Sequence, residues 1–151
     1  MKKIFIFIII IFLGWFGINI LYKKMTTFDG SEDSLYRMMK TIPLNEQVKF
    51  IKDFEIVLGA YQGKEHKLVG FKVEDIKAEA NNIKKWISKQ NITFLESLID
   101  KLSNSNENST FLHISKSGRI YEPRAGYIYE KTYSINDLNK LLQEQKNIIN
   151  K

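Results

Sequence analysis

Residues 4–21 form an apolar run that only Asn19 interrupts, and pairs of lysines at 2–3 and 23–24 flank it. As a helix this run would be about 27 Å long, close to the ~30 Å hydrocarbon core of a bilayer. A secretory signal peptide would end in a small-residue cleavage site, which the sequence does not offer, and there is no Cys for lipoprotein acylation. The run therefore predicts a retained signal-anchor, a transmembrane helix over residues 1–24.

The flanking lysines leave the orientation of this helix nearly balanced under the positive-inside rule. Long domains translocate largely regardless of charge, and the abundance of Lys, Asn and Ile is typical of an AT-rich bacterial genome. We predict a single-pass protein of the bacterial inner (cytoplasmic) membrane, with its domain on the periplasmic or extracytoplasmic side. A cytoplasm-facing immunity-type or accessory protein is the alternative if the orientation is reversed.

The formal charge of +6 depends strongly on the lysines beside the apolar run. Of 23 basic residues four flank the run, so 19 remain against 17 acidic residues, a net charge of only about +2. A charge of this size is ordinary for a solvated surface, and we expect no nucleic-acid partner. Nothing in the pattern indicates an oligomeric state.

Apolar residues recur at spacings of three and four through residues 31–102, which predicts about four helices. Ser31 and Asn45 are the expected N-caps of the first two. The third covers about residues 73–90. The fourth starts at Thr93, which has a glutamate three residues later, the spacing of a capping box.

Residues 111–151 follow a polar loop and change to the two-residue period of strands. Residues 111–115 and 119–122 predict a hairpin with a glycine-containing loop, and residues 127–133 predict a third strand. Ser134, with an aspartate three residues on, is the expected cap of a last helix.

The expected fold class is therefore α+β. It consists of an N-terminal transmembrane helix, about four helices, a three-stranded antiparallel meander and a C-terminal helix. A linker over residues 25–30 would join the membrane helix to one small domain, residues 31–151, which is long enough for a modest core without disulfides or metals.

Four segments within residues 28–86 form a recognisable pattern. They are Phe-Asp-Gly-Ser-Glu-Asp-Ser at 28–34, Met-Met at 38–39, Glu-Gln-Val-Lys-Phe at 46–50, and Val-Gly-Phe-Lys-Val-Glu-Asp-Ile-Lys-Ala-Glu-Ala at 69–80. With these segments the chain resembles an uncharacterised family of small bacterial envelope lipoproteins. Two features depart from the family: the lipoprotein Cys is absent, and Phe-Lys-Val at 71–73 replaces Lys-Thr-Ala. The resemblance implies an envelope location and transfers no functional residue.

No sequence motif indicates a reaction or a cofactor. The sequence contains no H-E-x-x-H, G-x-S-x-G, G-x-G-x-x-G or Walker loop, so we predict no catalytic, cofactor-binding or metal-binding residue. The enzyme alternative is a small envelope hydrolase that uses His113 with Glu122 or Glu130 from neighbouring strands. We leave the question of an enzyme open and favour a protein without catalysis.

The strongest candidate for a binding site is a set of tyrosines and arginines in the predicted meander. Tyr and Arg are enriched at binding hot spots because they combine a large contact area with directional hydrogen bonds. The members of this set are Arg119, Tyr121, Arg124, Tyr127, Tyr129 and Tyr133. The other interpretation is that the tyrosines only pack under a helix, and for the tyrosines we favour it, because alternating aromatic residues are ordinary in sheets. We predict a non-catalytic binding, structural or accessory module whose partner is a protein or an envelope component.

Overall fold

The computed structural model describes most of the chain. The described residues are 2–62, 65–105, 107–123 and 131–150, and for 2–11, 65 and 66 only the backbone is described. They form five α-helices, one 3₁₀ helix and four short strands. The bounds are α1 Lys2–Thr26, α2 Glu32–Lys40, α3 Leu44–Ala60, the 3₁₀ helix Glu65–Leu68, α4 Val73–Ser103, β1 Ser109–Phe111, β2 His113–Ile114, β3 Ile120–Tyr121, β4 Thr132–Ser134 and α5 Ile135–Ile149. The chain divides into two compact units, Met1–Ala78 and Glu79–Lys151.

In the part of the chain that the structure describes, no helix is long and apolar enough to cross a membrane. The predicted transmembrane helix is therefore wrong, and so are the signal-anchor, the single-pass topology and the inner-membrane location that depended on it.

In the first unit the residues that follow α1 are hydrogen-bonded to the residues that precede α4. The amide of Phe28 donates to the carbonyl of Phe71 at 2.8 Å, and the amide of Gly70 donates to the carbonyl of Phe28 at 2.7 Å. Thr27 and Lys72 form an antiparallel bridge beside these bonds. Gly70 has a φ of 93°, a left-handed conformation that glycine adopts without steric penalty.

The helices of the first unit enclose a small apolar core. Its most deeply buried side chains are Phe28, Met38, Phe50, Phe54, Val57, Leu68 and Ile76. The rings of Phe28 and Phe54 meet edge to face with their centroids 5.1 Å apart, a favourable geometry for two aromatic quadrupoles. Phe28, two residues after the end of α1, thereby contacts the middle of α3.

A hydrogen-bonded turn starts α2, and Ser31 is its N-cap as predicted, accepting a hydrogen bond from the amide of Ser34 at 3.2 Å. The carboxylate of Asp29 accepts from the Ser31 amide at 3.0 Å and from Arg37 Nη2 at 2.9 Å. The hydrogen bonds from Ser31, first its side chain and then its backbone, lower the pKa of Asp29 from 3.8 to about 2. The predicted N-cap at Asn45 is wrong, because α3 already begins at Leu44, directly after Pro43.

Helix α4, Val73–Ser103, is one continuous helix of 31 residues, so the two helices predicted there are wrong. Thr93 does not cap a helix, because its hydroxyl donates to the carbonyl of Lys89 at 3.3 Å, a bond typical of a threonine inside a helix. Neither Gly nor Pro occurs between residues 73 and 103, so no residue interrupts the backbone hydrogen bonds.

The strands of the second unit form two separate two-stranded sheets, so the predicted three-stranded meander is wrong. β1 pairs antiparallel with β4, and β2 pairs antiparallel with β3. β3 is short because Pro123, two residues after it, has no amide hydrogen to donate to a neighbouring strand. The hairpin of β2 and β3 is confirmed, whereas residues 127–130 of the predicted third strand lie outside the described residues.

One face of α4 and one face of α5 pack with the strands around a second apolar core. Its buried members are Leu95, Leu98, Leu102, Leu112, Ile120 and Leu138. The predicted cap of α5 is confirmed as a capping box: the Asp137 amide donates to Ser134 Oγ at 3.2 Å, and the Ser134 amide donates to Asp137 Oδ2 at 3.1 Å. The Ser134 hydroxyl also donates to Asp137 Oδ2 at 2.7 Å, and this bond first, then the one from the Ser134 amide, holds the pKa of Asp137 below its usual value.

Candidate binding surface

The loop between β2 and β3 is closed by its own hydrogen bonds. The amide of Ser115 donates to the carbonyl of Arg119 at 2.9 Å, and the amide of Gly118 donates back to the carbonyl of Ser115 at 2.9 Å. The Ser115 hydroxyl accepts from the Arg119 amide at 3.0 Å and lies 2.9 Å from the hydroxyl of Ser117. Gly118 has a φ of 86°, which makes glycine the favoured residue for this tight turn.

Asn91, in the middle of α4, fixes this loop to the helix. Its Nδ2 donates to the carbonyl of Gly118 at 2.8 Å and to Gln145 Oε1 at 3.0 Å, while its Oδ1 accepts from the amide of Ile120 at 2.9 Å. The side chain is 1 % exposed, so water does not compete for these bonds. Asn91 therefore holds the end of the turn and the start of β3, and connects them to α5.

The two faces of the hairpin differ in burial. Leu112 and Ile120 point into the core and are buried, whereas Ile114, opposite Ile120, is 42 % exposed. His113, Arg119 and Tyr121 lie on the other side of the hairpin, because strand residues alternate between faces. Phe111, at the end of β1 in the other sheet, lies two residues before His113, and we call these four residues the hairpin face.

Two rings lie against each other at the centre of the hairpin face. His113 and Tyr121 are directly opposite in the register of β2 and β3, and their ring centroids are 4.8 Å apart. Phe111 is 44 % exposed and Tyr121 is 37 % exposed, and Arg119 is exposed at the edge. An apolar, aromatic surface with a cationic rim is what a protein-binding site requires.

Only part of the predicted tyrosine and arginine set lies on the hairpin face. Arg119 and Tyr121 share it, whereas Tyr133 pairs with Thr110 in the other sheet. Tyr133 packs against the second core, and Lys131 Nζ lies 4.9 Å from its ring centroid. The remaining three predicted members, Arg124, Tyr127 and Tyr129, lie outside the described residues.

The sequence interpretation did not single out Phe111 or Asn91. The signal for Asn91 is its position on the apolar stripe of α4, four residues after Ile87 and four before Leu95, where a polar side chain must find partners inside the core. The signal for Phe111 is its two-residue spacing from His113 in an extended segment.

The groups of the enzyme alternative are only partly described. Glu122 Oε1 lies 3.9 Å from Lys101 Nζ in an exposed ion pair, and Glu130 lies outside the described residues. Across the described ranges no group of three or more His, Asp or Glu side chains is placed to hold a metal ion.

No protein-family model, no curated protein and no solved structure matches this chain. The resemblance of residues 28–86 to small envelope lipoproteins therefore stays a prediction. Function is inferred from the geometry of the hairpin face alone.

Proposed function

We propose that this chain is a non-catalytic binding module that recognises a partner protein through the hairpin face. The observation that carries the proposal is the contact between the rings of half-buried His113 and exposed Tyr121, on a hairpin whose turn is fixed by Asn91. A binding surface that is already ordered loses little conformational entropy when a partner binds.

The size of the aromatic surface is adequate for a hot spot. Phe111 and Tyr121 each keep about 40 % of a ring surface of roughly 200 Å² in contact with water. Covering that remainder would contribute about 4 kcal/mol at ~25 cal/mol per Å², before the entropy cost of association. Two such anchors are comparable with the few residues that dominate typical protein interfaces.

Arg119 can add directional hydrogen bonds to these apolar contacts. Its side chain is exposed, while its backbone closes the hairpin turn, so the guanidinium starts from a fixed Cα position. A guanidinium at the rim of an aromatic patch can donate several hydrogen bonds to carboxylates or carbonyls of a partner. The hydrolase and immunity-type alternatives stay predictions.

Site-specific photo-crosslinking tests this proposal. The photoreactive residue p-benzoylphenylalanine replaces Tyr121 in one variant and Tyr36 in a matched control, since Tyr36 is a 61 % exposed tyrosine on α2 of the other unit. In cells that naturally produce the chain we expect a discrete protein adduct from position 121 that Phe111→Ala weakens.

Two results would overturn the proposal. One is the absence of any adduct from position 121, and the other is the same adduct from positions 36 and 121 at equal yield. An adduct that also forms with the heat-denatured chain would have the same meaning, because it would not depend on the folded hairpin.

A further inference from the structure

We propose that Asn108, directly before β1, is a site of spontaneous covalent modification, at which the side-chain amide is lost and the residue becomes isoaspartate or aspartate. This modification is independent of the proposed binding function. It follows from the residues next to the asparagines and from the hydrogen bonds around two of them.

The reaction consumes only water. The backbone amide nitrogen of the residue after an asparagine loses its proton to hydroxide and attacks the side-chain carbon Cγ. The new N–Cγ bond closes a five-membered succinimide ring, the Cγ–Nδ2 bond breaks, and the side-chain nitrogen takes up a proton and leaves as ammonia. Water then opens the ring at either carbonyl, which gives aspartate or isoaspartate without any oxidation or reduction.

The sequence limits this reaction to two asparagines. A bulky or charged side chain on the following residue hinders the approach of its own nitrogen to Cγ, so a small following residue is required. Of the twelve asparagines of the chain none precedes a glycine, and only Asn104 and Asn108 precede a serine. The structure treats these two Asn-Ser pairs differently.

Hydrogen bonds protect Asn104. Its Nδ2 donates to Asp100 Oδ1 at 3.3 Å, and its backbone amide donates to the carbonyl of Asp100 at 3.1 Å. The attacking group, the amide of Ser105, donates to the carbonyl of Leu102 at 3.2 Å. A hydrogen-bonded amide loses its proton to solvent only after a local opening, so Asn104 reacts slowly in the folded chain.

The side chain of Asn108 has no such restraint. Asn108 lies outside the helices and strands and is exposed. It makes no side-chain hydrogen bond to the residues that the structure describes. Rotation of its side chain toward the following amide therefore breaks no bond of the fold.

The amide of Ser109, which would attack Asn108, is also available. Ser109 is opposite Ser134 in the sheet, but the amide of Ser134 donates to Asp137 Oδ2 at 3.1 Å and not to Ser109. The two serines are therefore a pair that exchanges no hydrogen bonds, and in such a pair the amides point away from the partner strand. Because Ser109 is exposed, its amide can lose its proton to hydroxide.

Incubation of the folded full chain at mildly alkaline pH, followed by peptide mass spectrometry, tests this site. Methylation by an isoaspartate-specific methyltransferase identifies the isoaspartate product. We expect Asn108 to react about tenfold faster than Asn104, the factor that corresponds to two hydrogen bonds of about 0.7 kcal/mol each at Asn104. Ser109→Ile should slow the reaction at Asn108, because a branched side chain hinders the attack. The matched control Asn104→Gln should leave the rate at Asn108 unchanged.

The same measurement on the chain unfolded in urea separates structure from sequence. Both Asn-Ser pairs should then react at similar rates, because the bonds of Asn104 are gone. Three results would overturn the proposal: equal rates at the two asparagines of the folded chain, no product at Asn108 while the unfolded chain reacts, or a tenfold difference that persists in urea.

Discussion

Replacing Asn91 with alanine should destabilise the second unit more than any surface substitution, because it removes three buried hydrogen bonds at once. These bonds have lengths of 2.8, 3.0 and 2.9 Å, to Gly118, Gln145 and Ile120 respectively. After the substitution the carbonyl of Gly118 can rehydrate at the loop, but the Ile120 amide and the Gln145 carbonyl oxygen are left inside.

The expected loss in the free energy of unfolding follows from what happens to the three partners of Asn91. A buried polar group that loses its partner costs about 1–3 kcal/mol, and a hydrogen bond that water can replace costs about 1 kcal/mol. Two groups of the first kind and one of the second give a loss of about 3–7 kcal/mol in the free energy of unfolding. Because a small domain is stabilised by only about 5–15 kcal/mol, the variant should be close to unfolding at room temperature.

Urea unfolding measures the loss of stability, and amide hydrogen exchange measures the loss of protection at the Ile120 amide. The matched control is Asn139→Ala, because Asn139 is exposed on α5 and its Nδ2 donates to the carbonyl of Ile135 at 3.0 Å. The control should change stability by less than about 0.5 kcal/mol. In the Asn91→Ala variant the Ile120 amide should lose its protection before the amides of α4 do, since its acceptor is gone.

A loss below about 1 kcal/mol for Asn91→Ala, with the Ile120 amide still protected, would refute the reasoning. It would mean that the strand pairing and the Leu112 and Ile120 contacts hold the hairpin without Asn91. Equal losses for Asn91→Ala and Asn139→Ala would refute it as well, because burial would then make no difference.

Two further predictions concern the caps of the helices. Ser134→Ala should lower the free energy of unfolding by about 1 kcal/mol in thermal denaturation, because the capping box loses its hydroxyl. The same substitution should raise the pKa of Asp137 toward its usual value. An unshifted Asp137 titration by NMR would contradict this. For Asp29, whose folded-state pKa of about 2 lies below the usual 3.8, the stabilising contribution should be fully present above about pH 4 and lost as the pH falls through about 2. Asp29→Asn should remove that part of the pH dependence in acid unfolding, and identical acid transitions in both proteins would contradict the assignment.

Local polar chemistry was predictable from the sequence. Ser31 and Ser134 cap their helices as expected, because each hydroxyl is followed within three residues by the amide that it binds. The hairpin of β2 and β3 was predictable for a similar reason, because the five-residue segment between them contains Gly118 at a position with a positive φ. All of these signals lie within a few neighbouring residues.

Motifs that form only when the preceding residues have a particular backbone conformation were not predictable. Thr93 and Glu96 have the spacing of a capping box, but a box forms only if the residues before the threonine are extended. In α4 the apolar stripe continues through Ile87, Leu95 and Leu98, and its burial stabilises a continuous helix more than a new cap would. The same spacing can therefore lie in the middle of a helix.

Strand partners far apart in the chain were not predictable either. Alternation shows which residues share a face of one strand, but not which strand lies beside it. The pairing of Thr110 with Tyr133 joins residues 23 apart and turns Tyr133 toward the core, while the pairing of His113 with Tyr121 exposes Tyr121. The sequence pattern alone treats these two tyrosines as equivalent members of one face.

The buried amide of Asn91 connects the stability of the second unit to the orientation of its proposed binding surface. A leucine at this position would suit the apolar stripe of α4, but it could not recognise the carbonyl of Gly118 or the amide of Ile120. Because both groups belong to the backbone around the turn, the amide selects one register of the hairpin, in which Ile120 points inward and Tyr121 points outward. A slip by one residue would bury Tyr121 and break both bonds. Asn91 thus determines which ring is presented to a partner without itself reaching the surface.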